Sequence, residues 1–263
     1  MWGVGNTSII ETFRLKILKQ TLGLRPSTPS YMVYGEIGKL PLKYTIDKRI
    51  ISFWGKIVNS TECTLSVVLY RSMLQNEELQ NNNKVWSNYV RDLLNKTGFG
   101  YVWVRQKCQK TDINKIKNRI EANGEQSMYG DMAKNNSNKG KQYKHLKPKW
   151  EAEHYLSVLD QRKLKALIRF RTANHKLPVE TGRYTNTPIE HRSCGHCPRS
   201  IGDEMHYVLE CPVFNEYRER YVDKKYYARP SMMKYIQLMH SKSLHELSNL
   251  SIFVNKLMKA IQP

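Results

Sequence analysis

The sequence contains no run approaching the roughly 20 consecutive apolar residues that a membrane-spanning helix requires. Acidic residues are scarce: 23 Asp and Glu stand against 43 Lys and Arg, a formal charge of +20. That excess is well beyond the magnitude of about 2 to 8 that keeps a small domain soluble, so a polyanionic partner is expected. Without a membrane span, nucleic acid fits best. Also missing are an HExxH pair, a Gly-rich Lys loop for phosphate and acids grouped for two-metal chemistry. Asp47, Asp92 and Asp131 stand singly and read as caps or surface charges. The N-terminal MWGVGNTSIIETFRLKILK lacks the features of a secretion signal, which points to an intracellular chain, nuclear or cytoplasmic.

Cysteine is sparse, and five of them cannot all pair. In a reducing compartment clustered cysteines read better as ligands than as disulfides. Cys63 and Cys108 are isolated and read as structural; the other three lie in SCGHCPRSIGDEMHYVLECP, residues 193–212. Cys194, Cys197, His206 and Cys211 form C-x2-C followed by H-x4-C, a Cys3His set that closes a tetrahedron around zinc with no position left for water. Gly195 eases the turn between the first two sulfurs, and Asp203 or Ser200 can cap a short helix that presents His206. On an unbroken helix His206 and Cys211 would lie about 140° apart. Pro212 disfavours the helical state at Cys211, so the chain can leave the helix there and swing the last sulfur inward. His191 and His196 are rival ligands. Three thiolates and one imidazole leave a charge of about −1 around a divalent ion, softened by Arg192 and Arg199. CGHC also has redox spacing, but the βαβ context of a redox motif is missing.

Helical periodicity dominates the first hundred residues. It predicts helices over residues 9–24, from Asp47 through Val58, over Leu65 to Leu74, and over residues 85–96, with aromatics as core material. Residues 33–42, with two glycines and a proline, read as connection. Residues 121–149 are polar and rich in Asn, Gly and Lys, and read as a linker. The expected organisation is a helical domain at 1–120, a basic linker at 121–149, and a basic helix plus zinc module with C-terminal helices at 150–263. The fold class is mainly α: a small helical bundle, then a small zinc-stapled helical module.

A helix predicted over residues 151–171 places Leu156, Leu159, Leu167 and Phe170 on one side. Arg162, Lys165 and Arg169 fall within about 60° of one another on the other. No acid occurs from Gln161 to Lys176. Arg162, Lys165, Arg169, Arg171 and Lys176, with His175 assisting, are therefore the candidate phosphate contacts.

RFRTANHKLPVETGRYTNTPIEHRSCGHCPRSIGDEMHYVLECPVFNEYRERY, from Arg169 to Tyr221, resembles the C-terminal zinc-binding segment of non-LTR (LINE-type) retrotransposon reverse transcriptase polyproteins. The likeness is carried by Arg171 and His175, Glu180 and Arg183, Arg192, the four ligands, and the frame of Glu204, Tyr207 and Pro212. STPSYMVYGEIGKLPLKYTIDKRIISFW and WSNYVRDLLNKTGFGYVWV resemble the region after the polymerase in those elements. The resemblance implies RNA or single-stranded DNA as partner, alongside the polymerase domain of a related element. The chain carries no YxDD or FADD motif and no endonuclease, so no catalysis is expected of it. The alternative expectation is a structural or protein-interaction module, or a retroelement remnant.

Overall fold

The computed structural model describes residues 7–76, 85–134 and 139–261. They form a mainly α protein whose one sheet, among the described residues, is a two-stranded hairpin. The chain divides into two units, residues 1–13 with 40–129 and residues 14–39 with 130–263. The changeovers fall within helix α1 (Ser8–Leu22), just before helix α3 (Leu42–Val58), and within helix α7 (Lys110–Ala133).

The first unit is built on α3, α4 (Leu65–Gln75), α5 (Trp86–Lys96), α6 (Gly100–Arg105) and α7. Trp54, Tyr70 and Trp86 are core, as their spacing predicts, whereas Phe13 and Phe53, expected there as well, are exposed. Trp54 is fully buried, stacks on Trp103 at 6.1 Å and donates its indole N–H to Tyr70 Oη at 2.9 Å. The Tyr70 hydroxyl donates onward to Gln106 Oε1, so both buried polar tips are satisfied. Asp47 is neither cap nor surface charge: it is buried and accepts from the Tyr89 hydroxyl. Cys108 is buried, whereas Cys63 is exposed and supports no core.

The expected linker at 121–149 is largely ordered. Residues 121–133 continue α7, because Ile116, Ile120, Gly124 and Met128 repeat every fourth position and form a buried stripe. Gly124 belongs to that stripe because a Cβ there would come within 2.7 Å of Leu40 Cδ1. Residues 135–138 lie outside the described residues. Beyond them Tyr143 and Leu146 are buried on a 3-10 turn, Lys141–Leu146, in the second unit.

The second unit also claims helix α2 (Ser30–Ile37), where a connection was expected. Gly35 within it and Gly38 at its C-cap answer close approaches: a Cβ on Gly35 would meet Tyr143 Oη at 2.5 Å, and one on Gly38 would meet Ala152 N at 2.1 Å. The helix expected over 151–171 is broken. A single turn, Tyr155–Val158, ends in extended Leu159, and Asp160 then caps α8 (Gln161–Arg171) by accepting from the N–H groups of Arg162 and Lys163. α8 packs on the C-terminal helix α11 (Leu244–Ala260), burying Leu167 and Phe170 with Leu250, Phe253, Val254 and Leu257. Helices α9 (Asn215–Tyr221) and α10 (Met232–Met239) complete the unit. No described helix is long and apolar enough to cross a membrane.

Candidate metal centre and basic surface

Strands β1 (Ser193–Cys194) and β2 (Cys197–Ile201) pair antiparallel with Cys194 opposite Cys197. The two residues between them, Gly195 and His196, make the turn, and both sulfurs sit at its base. Gly195 does not have a positive φ, and a Cβ built on it meets nothing within 4 Å. The turn therefore has no need of glycine here.

The other two ligands come from a wide turn. Residues His206–Glu210 are π-helical, and the Cys211 N–H donates to the His206 carbonyl at 2.8 Å. One i to i+5 turn brings Cys211 over His206, which an α-helix would not do. Asp203 Oδ1 accepts from the His206 N–H at 2.8 Å at the start of this segment. Cys211 then leaves it at φ −56° and ψ 120°, ahead of Pro212.

Arg218 on α9 holds this turn from behind. Its guanidinium is buried and donates to the carbonyls of Val208 at 2.8 Å and Cys211 at 2.7 Å, and to Asn215 Oδ1. A π turn leaves carbonyls without helical partners, and Arg218 satisfies them.

The result is one group of Cys194, Cys197, His206 and Cys211 whose ligand atoms all lie within 4.8 Å of one another. Cys194 Sγ and Cys211 Sγ are 3.8 Å apart. That is the edge of a tetrahedron with metal–sulfur bonds of about 2.3 Å. His206 Nδ1 lies 3.2 Å from Glu210 Oε2, while its Nε2 is buried and without a hydrogen bond. A carboxylate on one ring nitrogen and a free second nitrogen is how a ligating imidazole is oriented. The rivals His191 and His196 are exposed and outside the group.

The sulfurs also act on one another. Burial raises the Cys194 thiol, but Tyr207 and the His196 N–H more than offset this and bring it to about 6. Burial, aided by the charge of Cys194, pushes Cys211 up to about 12 despite the Val213 N–H. Crowded thiols resist a second ionisation unless a cation neutralises them. The four residues can hold a metal ion, and the set is closed.

The candidate phosphate contacts separate into two kinds. Arg162, Arg169 and Lys176 are exposed and Lys165 is half-buried, as a contact surface requires. Arg171 and His175 are buried instead, and the expectation for them is corrected. Arg171 Nε donates to Glu36 Oε2 at 3.1 Å, its Nη2 lies 3.0 Å from Glu153 Oε2, and its Nη1 donates to the Met239 carbonyl. Lys147 Nζ completes the network at 2.7 Å from Glu153 Oε1. His175 Nε2 lies 3.0 Å from Glu204 Oε1, and its Nδ1 accepts from the Leu177 N–H. Neither side chain has a group to offer a phosphate.

Residues without a helical charge pattern gather beside that surface: Lys19 and Arg25 are accessible, and Lys139 is buried. The loop after α1 offers three carbonyls to cations: Gly23 accepts from Arg169 Nε at 2.7 Å, Pro26 from Lys19 Nζ at 2.6 Å, and Ser27 from Lys139 Nζ at 3.2 Å. Arg25 is exposed on the same loop. Lys19, Arg25 and Lys139 are scattered in sequence, so no local pattern identified them.

No family model, curated protein or solved structure matches the chain.

Proposed function

We propose that the chain is a non-catalytic, zinc-stabilised nucleic-acid-binding protein, akin to the post-polymerase region of non-LTR retrotransposon proteins. The observation that carries the reading is the gathering of the accessible Lys19, Arg25, Lys165 and Arg169, with the buried Lys139, around one loop of the unit that holds the metal group. Such a surface neutralises phosphates without reading bases, so RNA and single-stranded DNA are both partners. Zinc is the ion favoured by three thiolates and one imidazole in a tetrahedron, and its role is to fix the hairpin and the π turn.

The test has two arms. Elemental analysis of the natively purified protein should give one zinc per chain, lost in Cys197→Ser. Replacing Arg162, Lys165 and Arg169 together with Ala should weaken binding to RNA and single-stranded DNA at low salt and flatten its salt dependence, with zinc content unchanged. Unaltered affinity would overturn the reading.

A second reading draws on the exposed apolar side chains of α1. Ile9, Ile10 and Phe13 are 78, 57 and 63% exposed, which suits a protein-interaction module. Association insensitive to salt, with no retention on nucleic acid, would favour it.

A further inference from the structure

Beside the metal-binding hairpin lies a pocket of ≈ 410 Å³ that the basic surface does not account for. Its volume falls in the usual range for small-ligand sites, about 300 to 1,000 Å³. His196 of the hairpin turn forms one part of the wall, and Tyr207, Phe214 and Tyr217 form another. Ile261 and Lys176 also line it. None of the described residues that line it is acidic. Tyr207 and Phe214 meet edge to face at 5.9 Å, which fixes the inner wall, while Tyr217 remains 36% exposed. Lys256 Nζ lies 5.2 Å from the centre of the Tyr217 ring, so a second cation flanks the aromatic wall.

Aromatic surface with flanking cations and no acid suits a flat, π-faced group attached to an anion. A nucleobase of an unpaired strand is such a group; a base inside a duplex is already stacked and cannot enter. We propose that this pocket takes one unstacked nucleobase of a single-stranded nucleic acid, with the adjoining phosphates on Lys176 and Lys256. The inference rests on the nucleic-acid reading above and adds a base-stacking site to it. Lys176 connects the two surfaces, since it follows Arg169 by seven residues and cannot be more than about 25 Å from it along the chain.

The experiment compares three probes on the zinc-loaded full chain at low salt. One is an oligothymidylate of about 12 nucleotides, within the span of single-strand grooves. The others are an abasic strand of equal length and charge, and a duplex of equal length. Wild type should hold the thymidylate strand about 5- to 150-fold more tightly than the abasic one, the span of one stacked base. Tyr217→Ala should lose that preference, Tyr217→Phe should keep it, and both should retain zinc. Equal affinity of wild type for the base-bearing and abasic strands would remove the pocket and leave the phosphate surface standing, as would an unchanged preference in Tyr217→Ala. Retention of no probe would remove the nucleic-acid reading and the pocket with it.

Discussion

Arg218 shows how a single side chain sets the geometry of the metal group without touching an ion. It donates to the carbonyls of Val208 and Cys211, the second of which belongs to a ligand. Burial pulls its guanidinium below the ordinary value, and the Cys211 sulfur opposes that pull. Removing it leaves the Val208 carbonyl unpaired at a cost of about 1 to 3 kcal/mol, leaves Cys211 with the Phe214 N–H alone, and frees the π turn to relax toward an α-helix that parts His206 from Cys211. Arg218→Ala should therefore lower metal affinity about 10- to 100-fold in competition with a chromogenic chelator. Arg218→Lys should recover little, because an ammonium cannot span several carbonyls as a planar fork does. Gly195→Ala should bind metal like wild type, since nothing occupies the space of its Cβ.

The residues on which the proposed likeness to retrotransposon proteins rests are largely buried. Arg171, His175, Arg192 and Glu204, which carry much of it, all face inward: Arg171 to Glu36, His175 to Glu204, and Arg192 to the carbonyls of Thr187 and Val179. They are framework, and the contacts with solvent fall to other residues.

Among elements, α2, α8 and the turn before α8 are joined by the buried network of Arg171, Glu36, Glu153 and Lys147. Burial would raise the Glu153 carboxyl, but Arg171 and Lys147 outweigh it and hold it below the ordinary 4.5. A carboxylate held low contributes stability in full above its unfolded value and loses it as pH falls through the folded one. Arg171→Ala leaves the buried Glu36 without a cation and Glu153 with Lys147 as its remaining lysine or arginine partner, and should destabilise by about 3 to 5 kcal/mol in urea unfolding. It should also reduce the part of the acid destabilisation that Glu153 contributes, leaving what Lys147 sustains. Affinity of the remaining folded protein for single strands should be unaltered, because Arg171 is not on the surface.

What the sequence disclosed about elements followed the periodicity of large side chains. α4 and α5 are legible because their apolar residues recur every three or four positions and no glycine interrupts them. α2 escapes because Gly35 and Gly38 read as breakers, although close packing requires both. α7 escapes because its buried stripe includes a glycine and the surrounding residues are polar. The ligand set was legible from spacing and Pro212 alone. The π turn was not, because the sequence does not say whether the Cys211 N–H pairs with the fourth or the fifth preceding carbonyl. Positive charge on α8 was legible, as was the outward direction of Arg162 and Arg169; what holds Arg171 was not, because its carboxylates come from residues 36 and 153, far away in sequence.

At the scale of the whole molecule, a charge of +20 must repel itself where cations converge, and at Lys139 that repulsion adds to the larger effect of burial. Burial lowers its ammonium from the ordinary 10.5 to about 8; Glu180 opposes the shift, and Arg183, Arg25 and Lys19 reinforce it. Below about 8 the amine is protonated in both folded and unfolded chains. Between about 8 and 10.5 the unfolded chain binds more protons than the folded one, so this group makes stability rise with pH across that window. Binding to a polyanion should show the opposite trend. A phosphate near Lys139 favours the charged form and returns its pKa toward 10.5, so the complex takes up a proton as it forms. Affinity for single-stranded RNA at fixed ionic strength should then fall as pH climbs from about 7 to about 9, by at most about tenfold from this one site. Lys139→Gln should bind more weakly at neutral pH and lose most of that pH dependence, while its zinc content stays the same. A wild-type affinity that is flat across this range would place the phosphates away from the loop of Gly23, Pro26 and Ser27, and would separate the basic surface from Lys139.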